Sequence, residues 1–216
     1  MSDQTQLADL RLHELLERLG SSDPVPGGGS AAALAGAMGA ALVAMVAELT
    51  IGRPEYAEHE QTIRHLRFDA LERRAELLDL AEQDAAAYDA VVRARRLPKA
   101  SDAEREARAE ALGSAMVDAA QAPLRAAVVA SEVLDLAERI APIGNRNAVS
   151  DAGVAALLAA AAIRGAALNV RINLPYLAPD SDLRASAPAE LERLEARAAS
   201  GEQAAMAGVN ERLAPP

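Results

Sequence analysis

The chain has 216 residues, a formal net charge of -10, and 54 Ala against three Tyr, one Phe and no Trp. Such a composition excludes an all-β domain and an aromatic-rich core, because Ala favours helix and buries little area per residue. It also argues against nucleic-acid recognition by base stacking in an acidic chain, and the absence of Cys excludes disulfides, thiolate metal sites and a cysteine nucleophile.

Met1-Ser2-Asp3-Gln4 carries no basic region and no apolar run, so a signal peptide is not expected and a cytoplasmic location is. Residues 6–19 read as a short amphipathic helix, with Leu7, Leu10, Leu15 and Leu19 near helical spacing. Residues 20–29 form a break rich in Ser, Pro and Gly. Residues 30–51 read as an apolar helix with one charge, Glu48. Its length suits a membrane span, but its Ala and Gly content favours a helix buried on all sides in a bundle, with no membrane partner. Gly52-Arg53-Pro54 stops that helix, and a long one follows over 55–96. Leu97-Pro98-Lys99 ends it, and Ser101-Asp102 caps a charged helix over 103–120. Residues 123–140 continue as a helix, either separate or joined at a kink. Residues 141–147 are loop. Asn147 or Ser150 then caps an Ala-rich helix ending near Asn173, residues 174–188 are loop, and 189–213 form a last, polar helix. The expected fold is all-α: one domain over 1–216, a bundle of six to seven helices with two Ala/Gly-rich central helices. Two helices apolar on every face are more than a small monomer can surround, so a homodimer burying one face is expected.

Four stretches carry candidate chemistry. Pro24-Val25-Pro26-Gly27-Gly28-Gly29-Ser30 leads straight into a helix. Its glycines admit a ligand close to the backbone, and the helix start offers unpaired N–H groups and the positive dipole end. Gly27, Gly28, Gly29 and Ser30 are therefore binding candidates for an anion or carbonyl, although a tight turn for close helix packing reads the same. No Gly-Lys-Ser/Thr follows, so this is not a P-loop. Asp84 lies on one helical stripe with Leu77, Ala81, Tyr88 and Val91. A carboxylate on an apolar stripe is costly unless it is paired or lines a cavity, and burial raises its pKa toward the range of a general base. An Arg partner or a helix cap is the structural alternative.

Gly144-Asn145-Arg146-Asn147-Ala148-Val149-Ser150-Asp151 gathers amides, a guanidinium and a carboxylate at a helix start, where capping explains Asn147 and Ser150, and dipole complementation Asp151, equally well. In Asn169-Val170-Arg171-Ile172-Asn173 two amides share one helical face, suited to a planar polar ring or to another helix. Asp151 and Asn169 stand about 27 Å apart along a straight helix, so no small group touches both. His13, His59 and His65 lack the spacing of metal ligands, no metal site is expected, and no Gly-x-Ser-x-Gly elbow occurs. The charges from Arg93 to Arg108 read as a solvated face.

Pro24-Val25-Pro26-Gly27-Gly28-Gly29-Ser30-Ala31-Ala32-Ala33, Leu49-Thr50-Ile51-Gly52-Arg53, Asp84-Ala85-Ala86-Ala87-Tyr88-Asp89-Ala90, Leu97-Pro98-Lys99, Asn147-Ala148-Val149-Ser150-Asp151-Ala152-Gly153-Val154-Ala155-Ala156 and Asn169-Val170-Arg171-Ile172-Asn173-Leu174 closely resemble the cyclodeaminase/cyclohydrolase family of folate enzymes, in the family's order and over about residues 5 to 210. The resemblance implies an all-helical homodimer that binds no cofactor and takes a tetrahydrofolate derivative as substrate. One family activity is 5,10-methenyltetrahydrofolate cyclohydrolase, which forms 10-formyltetrahydrofolate. The other is formiminotetrahydrofolate cyclodeaminase, which releases ammonia. A non-catalytic folate-binding dimer is the third reading. Read as a stand-alone chain, the sequence is expected to be the cyclohydrolase.

The family's proton-accepting Asp falls on Asp84. Gly27, Gly28, Gly29, Ser30, Arg53, Lys99, Asn147, Asp151, Asn169 and Asn173 carry over as pocket residues. Arg53 departs from the Lys frequent in the family, keeping charge but changing donor geometry. Arg53, Lys99, Arg146 and Arg171 are the expected partners of the folate glutamate carboxylates, and Asn169 and Asn173 of the pterin ring.

Overall fold

The computed structural model describes residues 6–213, so the tetrapeptide read above for targeting lies outside it. Its six helices are α1 (Leu12–Leu19), α2 (Gly28–Glu48), α3 (Glu60–Arg95), α4 (Asp102–Ile140), α5 (Val149–Asn173) and α6 (Asp182–Leu213). Short 3-10 turns occur at Leu7–Asp9, Pro54–His59, Arg146–Ala148 and Leu174–Tyr176, and no strand occurs among the described residues.

The two Ala-rich helices lie at the centre. α2 packs against α3, α4 and α5, and α5 packs against α2, α4 and α6. Small side chains set their spacing. A Cβ at Gly39 of α2 would stand 3.0 Å from the Ala155 carbonyl oxygen of α5, so glycine lets the two backbones close up there. The core between the helices is built from Ala37, Ala40, Val43, Ala156, Ala159 and Ile163, all buried.

Within the single chain neither helix is buried on all sides. Leu34 and Leu42 are half-covered, while Met38, Met45, Leu157, Leu168 and Ile172 are exposed, Ile172 by 68%. Three neighbours cannot surround a cylinder, and one side of each helix is left bare. By length and composition alone, Gly28–Glu48 and Arg146–Tyr176 are both apolar enough to cross a membrane, with 56% of the 18-residue apolar stretch of each buried within the fold.

Element boundaries differ from the sequence reading where a tertiary contact intervenes. The first expected helix is split. Its 3-10 turn is held to α3 by the Glu82 carboxylate, which accepts from the backbone of Leu7 and Ala8, and α1 starts afresh at Leu12 with Glu14 accepting from the Arg11 N–H. Helices 103–120 and 123–140 are one element, α4, with Pro123 inside it and the expected Ser101 cap in place. α6 begins before Pro188, because Ala187 and Leu191 bury against Ala167 and Val170 of α5 and outweigh the lost proline N–H. α5 is not capped by Asn147 or Ser150. The Asn145 side chain instead accepts from the Asn147 N–H one turn earlier.

Candidate active site

The start of α2 lacks a cap of its own. Its N-cap is Gly27, which has no side chain to offer, yet the first turn of any helix leaves N–H groups unpaired. α3 supplies the missing acceptor. The Asp84 carboxylate accepts from the Ser30 backbone N–H and from the Ser30 hydroxyl, with Ser30 Oγ 3.0 Å from Asp84 Oδ2. The same hydroxyl lies 2.9 Å from the Ala81 carbonyl oxygen. A Cβ at Gly29 would overlap the Asp84 carboxyl group, so the glycine makes the room that the acid occupies.

Burial pushes the Asp84 pKa above the ordinary aspartate value, while the two hydrogen bonds from Ser30 hold the shift back. No basic side chain pairs with Asp84 among the described residues. The acid is half-buried, stripped of water on one side and open to a cavity on the other.

That cavity has a volume of about 330 Å³. Its wall comes from the loop before α2 (Pro24, Val25), the start of α2 (Gly27, Gly28, Gly29), and one stripe of α3 (Asp84, Tyr88, Val91, Arg95). Met116 and Ala119 of α4, Asn169, Ile172 and Asn173 of α5, and Tyr176 complete it.

The two amides on this wall are fixed by the backbone around them. Pro123 has no N–H, so the Ala119 carbonyl of α4 lacks its usual helical partner. Asn173 Nδ2 donates to that carbonyl at 2.8 Å and to the Asn169 carbonyl at 2.9 Å. An amide nitrogen has two hydrogens, so Asn173 is left with its oxygen to offer. Asn169 Nδ2 donates to the Gly165 carbonyl, which leaves one of its hydrogens and its oxygen. With Asp84, the wall is therefore rich in acceptors and suits a planar ligand that carries N–H groups or positive charge.

The fold thus brings together six of the sequence candidates: Gly27, Gly28, Gly29, Asp84, Asn169 and Asn173. Ser30 is buried behind Asp84 and acts on the acid, not on the cavity. Arg53 follows the far end of α2, about 30 Å from Gly28 by helix rise, and lies near Glu55. Asn147 and Asp151 stand at that same far end, at the start of α5. Lys99 lies in the exposed turn after α3, and Arg171 is held in a bidentate pair with Glu195. Arg146 donates to the Arg212 carbonyl.

Arg95, Met116 and Tyr176 line the cavity without having been singled out. Arg95 had a signal: it continues the stripe of Asp84, Tyr88 and Val91 by one more turn. Among the described residues, no group of three His, Cys, Asp or Glu is placed to hold a metal ion.

Fold and site together define a class, that of all-helical proteins with a half-buried, cation-free carboxylate on the wall of a cavity. Residues 11–193 match the family model described as formiminotransferase-cyclodeaminase, and the chain belongs to that family. It is 44% identical over 202 residues to the methenyltetrahydrofolate cyclohydrolase of Methylorubrum extorquens, covering 94% of this chain and 93% of that protein. It is 35% identical to the formimidoyltransferase-cyclodeaminase of Mus musculus, over 82% of this chain but 33% of that longer protein. The crystal structure of formiminotetrahydrofolate cyclodeaminase from Thermotoga maritima superposes with a TM-score of 0.83 at 30% identity, covering 95% of this chain and 98% of that one.

Proposed function

We propose that the protein is a 5,10-methenyltetrahydrofolate cyclohydrolase in which Asp84 moves the protons. The observation that carries this reading is the Asp84 carboxylate seated against Gly29 and Ser30, without a cationic partner among the described residues and on the wall of a cavity that Asn169 and Asn173 also line. The similarity to the Methylorubrum extorquens cyclohydrolase over nearly its whole length supports the choice of reaction.

The substrate is an amidinium cation, and an ionised Asp84 stabilises that charge at the mouth of an acceptor-lined site. Asp84 takes a proton from water as the oxygen attacks the methenyl carbon, giving a neutral tetrahedral carbinolamine. Asp84 then returns a proton to N5 as the carbon–N5 bond breaks and the hydroxyl loses its hydrogen to solvent. The products are 10-formyltetrahydrofolate and one net proton. A single carboxylate with a raised pKa suits both transfers.

Two further features belong to this reading. The bare apolar sides of α2 and α5 would be covered by a second copy of the chain in a homodimer, and Ile172 lies both there and on the cavity wall. Arg53, Lys99, Asn147 and Asp151 would serve the substrate only from outside this cavity. The likeness to a solved cyclodeaminase favours ammonia release from formiminotetrahydrofolate as the second reading.

Absorbance decides between them. Purified protein is expected to bleach the methenyl chromophore well above the uncatalysed rate. Inert methenyl substrate, with chromophore appearing and ammonia released from 5-formiminotetrahydrofolate, would replace the cyclohydrolase by the cyclodeaminase. Sedimentation at micromolar concentration tests the homodimer, and a monomer would refute it.

A further inference from the structure

α3 presents its cavity side chains in a fixed order: the Asp84 carboxylate, the Tyr88 ring, the Val91 methyls and the Arg95 guanidinium. Asp84 and Arg95 are three turns apart, about 16 Å of helix rise between their backbones. Long helical side chains favour rotamers that lean toward the N-terminus of their helix, which for Arg95 is the direction of Asp84 and would shorten that interval. Arg95 is the one basic residue on the wall among the described residues, and its guanidinium makes no hydrogen bond or ion pair there. By contrast, Arg171 is already paired with Glu195. Tyr88 is one of only four aromatic residues in the chain, and it is 42% exposed at the cavity between the two charged groups.

We infer that this face of α3 is a ruler for the substrate, in which Arg95 binds the tail carboxylate, Tyr88 packs on the ring before it, and Asp84 meets the reacting carbon. The inference rests on the folate reading above, since tetrahydrofolates carry a reacting bridge, an aminobenzoyl ring and a glutamate in that order. An unpaired guanidinium is the group best suited to a carboxylate, and its position at the end of the stripe makes it a specificity-determining residue for the tail. It also puts local positive charge where a chain of net charge -10 would otherwise repel an anionic tail.

The test is a two-by-two comparison of wild type and Arg95→Gln on 5,10-methenyltetrahydrofolate and on its pteroate analogue, which lacks the glutamate. Wild type is expected to lose about tenfold in kcat/KM on the analogue, mostly in KM, and Arg95→Gln about the same on the full substrate. On the analogue the two proteins are expected to be equal, and Arg95→Lys to recover part of the loss on the full substrate. Equal losses for both proteins on removing the tail, or a variant indistinguishable from wild type on the full substrate, would overturn the ruler while leaving the reaction standing. Calorimetric binding of tetrahydrofolate and tetrahydropteroate separates the two claims. Arg95-dependent preference for the tail without turnover would keep the ruler and reject the reaction, and binding of neither would reject both.

Discussion

The two ends of α2 contain similar residues and have opposite fates. At the far end, Thr50 Oγ1 donates to the Val46 carbonyl at 2.6 Å and accepts from the Asn145 N–H at 2.8 Å. Asn145 Nδ2 donates to the Leu49 carbonyl, its oxygen accepts from the Asn147 N–H, and the Arg212 guanidinium reaches the carbonyls of Pro142 and Gly144. Thr50 and Asn145 are buried there with their polar groups taken up by neighbours, and only the Nε of Arg212 is buried without a partner among the described residues, which is the signature of a joint. At the near end, Asp84, Asn169 and Asn173 line a cavity, and the amide oxygens of both Asn are left without a donor among the described residues. Amides and glycines at a helix terminus do not by themselves mark a site. What marks it is hydrogen-bonding capacity left over after the fold has been satisfied.

The largest effect expected from this contrast is at Asp84. Asp84→Asn keeps an acceptor for the Ser30 N–H but cannot take a proton, so turnover should fall about 10²- to 10⁴-fold with folate binding retained. Its melting temperature should hold or rise at neutral pH, because a buried carboxylate with a raised pKa disfavours the folded state above that pKa. Loss of folding alongside activity would place Asp84 with the joint instead. The mirror case is Asn145→Ala, which should cost about 2–3 kcal/mol in urea unfolding, from two lost bonds at a buried position, with kcat unchanged.

Glycines sharpen the same comparison. Gly29→Ala drives a methyl into the Asp84 carboxyl and should cost about 1–3 kcal/mol together with most of the activity. Gly113→Ala, in the open middle of α4 with nothing within 4 Å of a new Cβ, should stabilise by about 0.4–1 kcal/mol with activity intact. The smallest effect is at Ser30. The Ser30 bonds lower the Asp84 pKa, so Ser30→Ala should move the acid limb of the pH–rate profile to higher pH. Activity falls as pH drops through that pKa, so the variant loses turnover first at mildly acidic pH. An unmoved limb would remove the hydroxyl from the proton-handling part of the site.

Much of this was legible in the chain, and the misses share a cause. The order of the six helices and the Ser101 cap follow from Pro, Gly and apolar periodicity, which are local signals. Asp84 stood out because a stripe of Leu77, Ala81, Tyr88 and Val91 fixes its direction. Arg95 lies one turn further on the same stripe but is hidden in the run of charges over 93–108, where composition masks direction. The bond from Asn173 to the carbonyl freed by Pro123 joins residues from two helices, and nothing local in either helix announces it. Arg53, Asn147 and Asp151 carry the residue types of a site and stand at the joint end of α2, which only the assembled helices reveal.

The Ser30 hydroxyl sits within bonding distance of two oxygens but owns a single hydrogen. While Asp84 is ionised the hydrogen belongs to the carboxylate. Once Asp84 carries a proton, the acid itself becomes a donor, and the hydroxyl is free to swing to the Ala81 carbonyl and receive it. Each catalytic round would therefore turn this rotor out and back, a side-chain motion on a timescale of about picoseconds to nanoseconds and far faster than turnover. The acid is never left without a partner in either of its two charge states, so the helix start it caps need not loosen as the proton comes and goes.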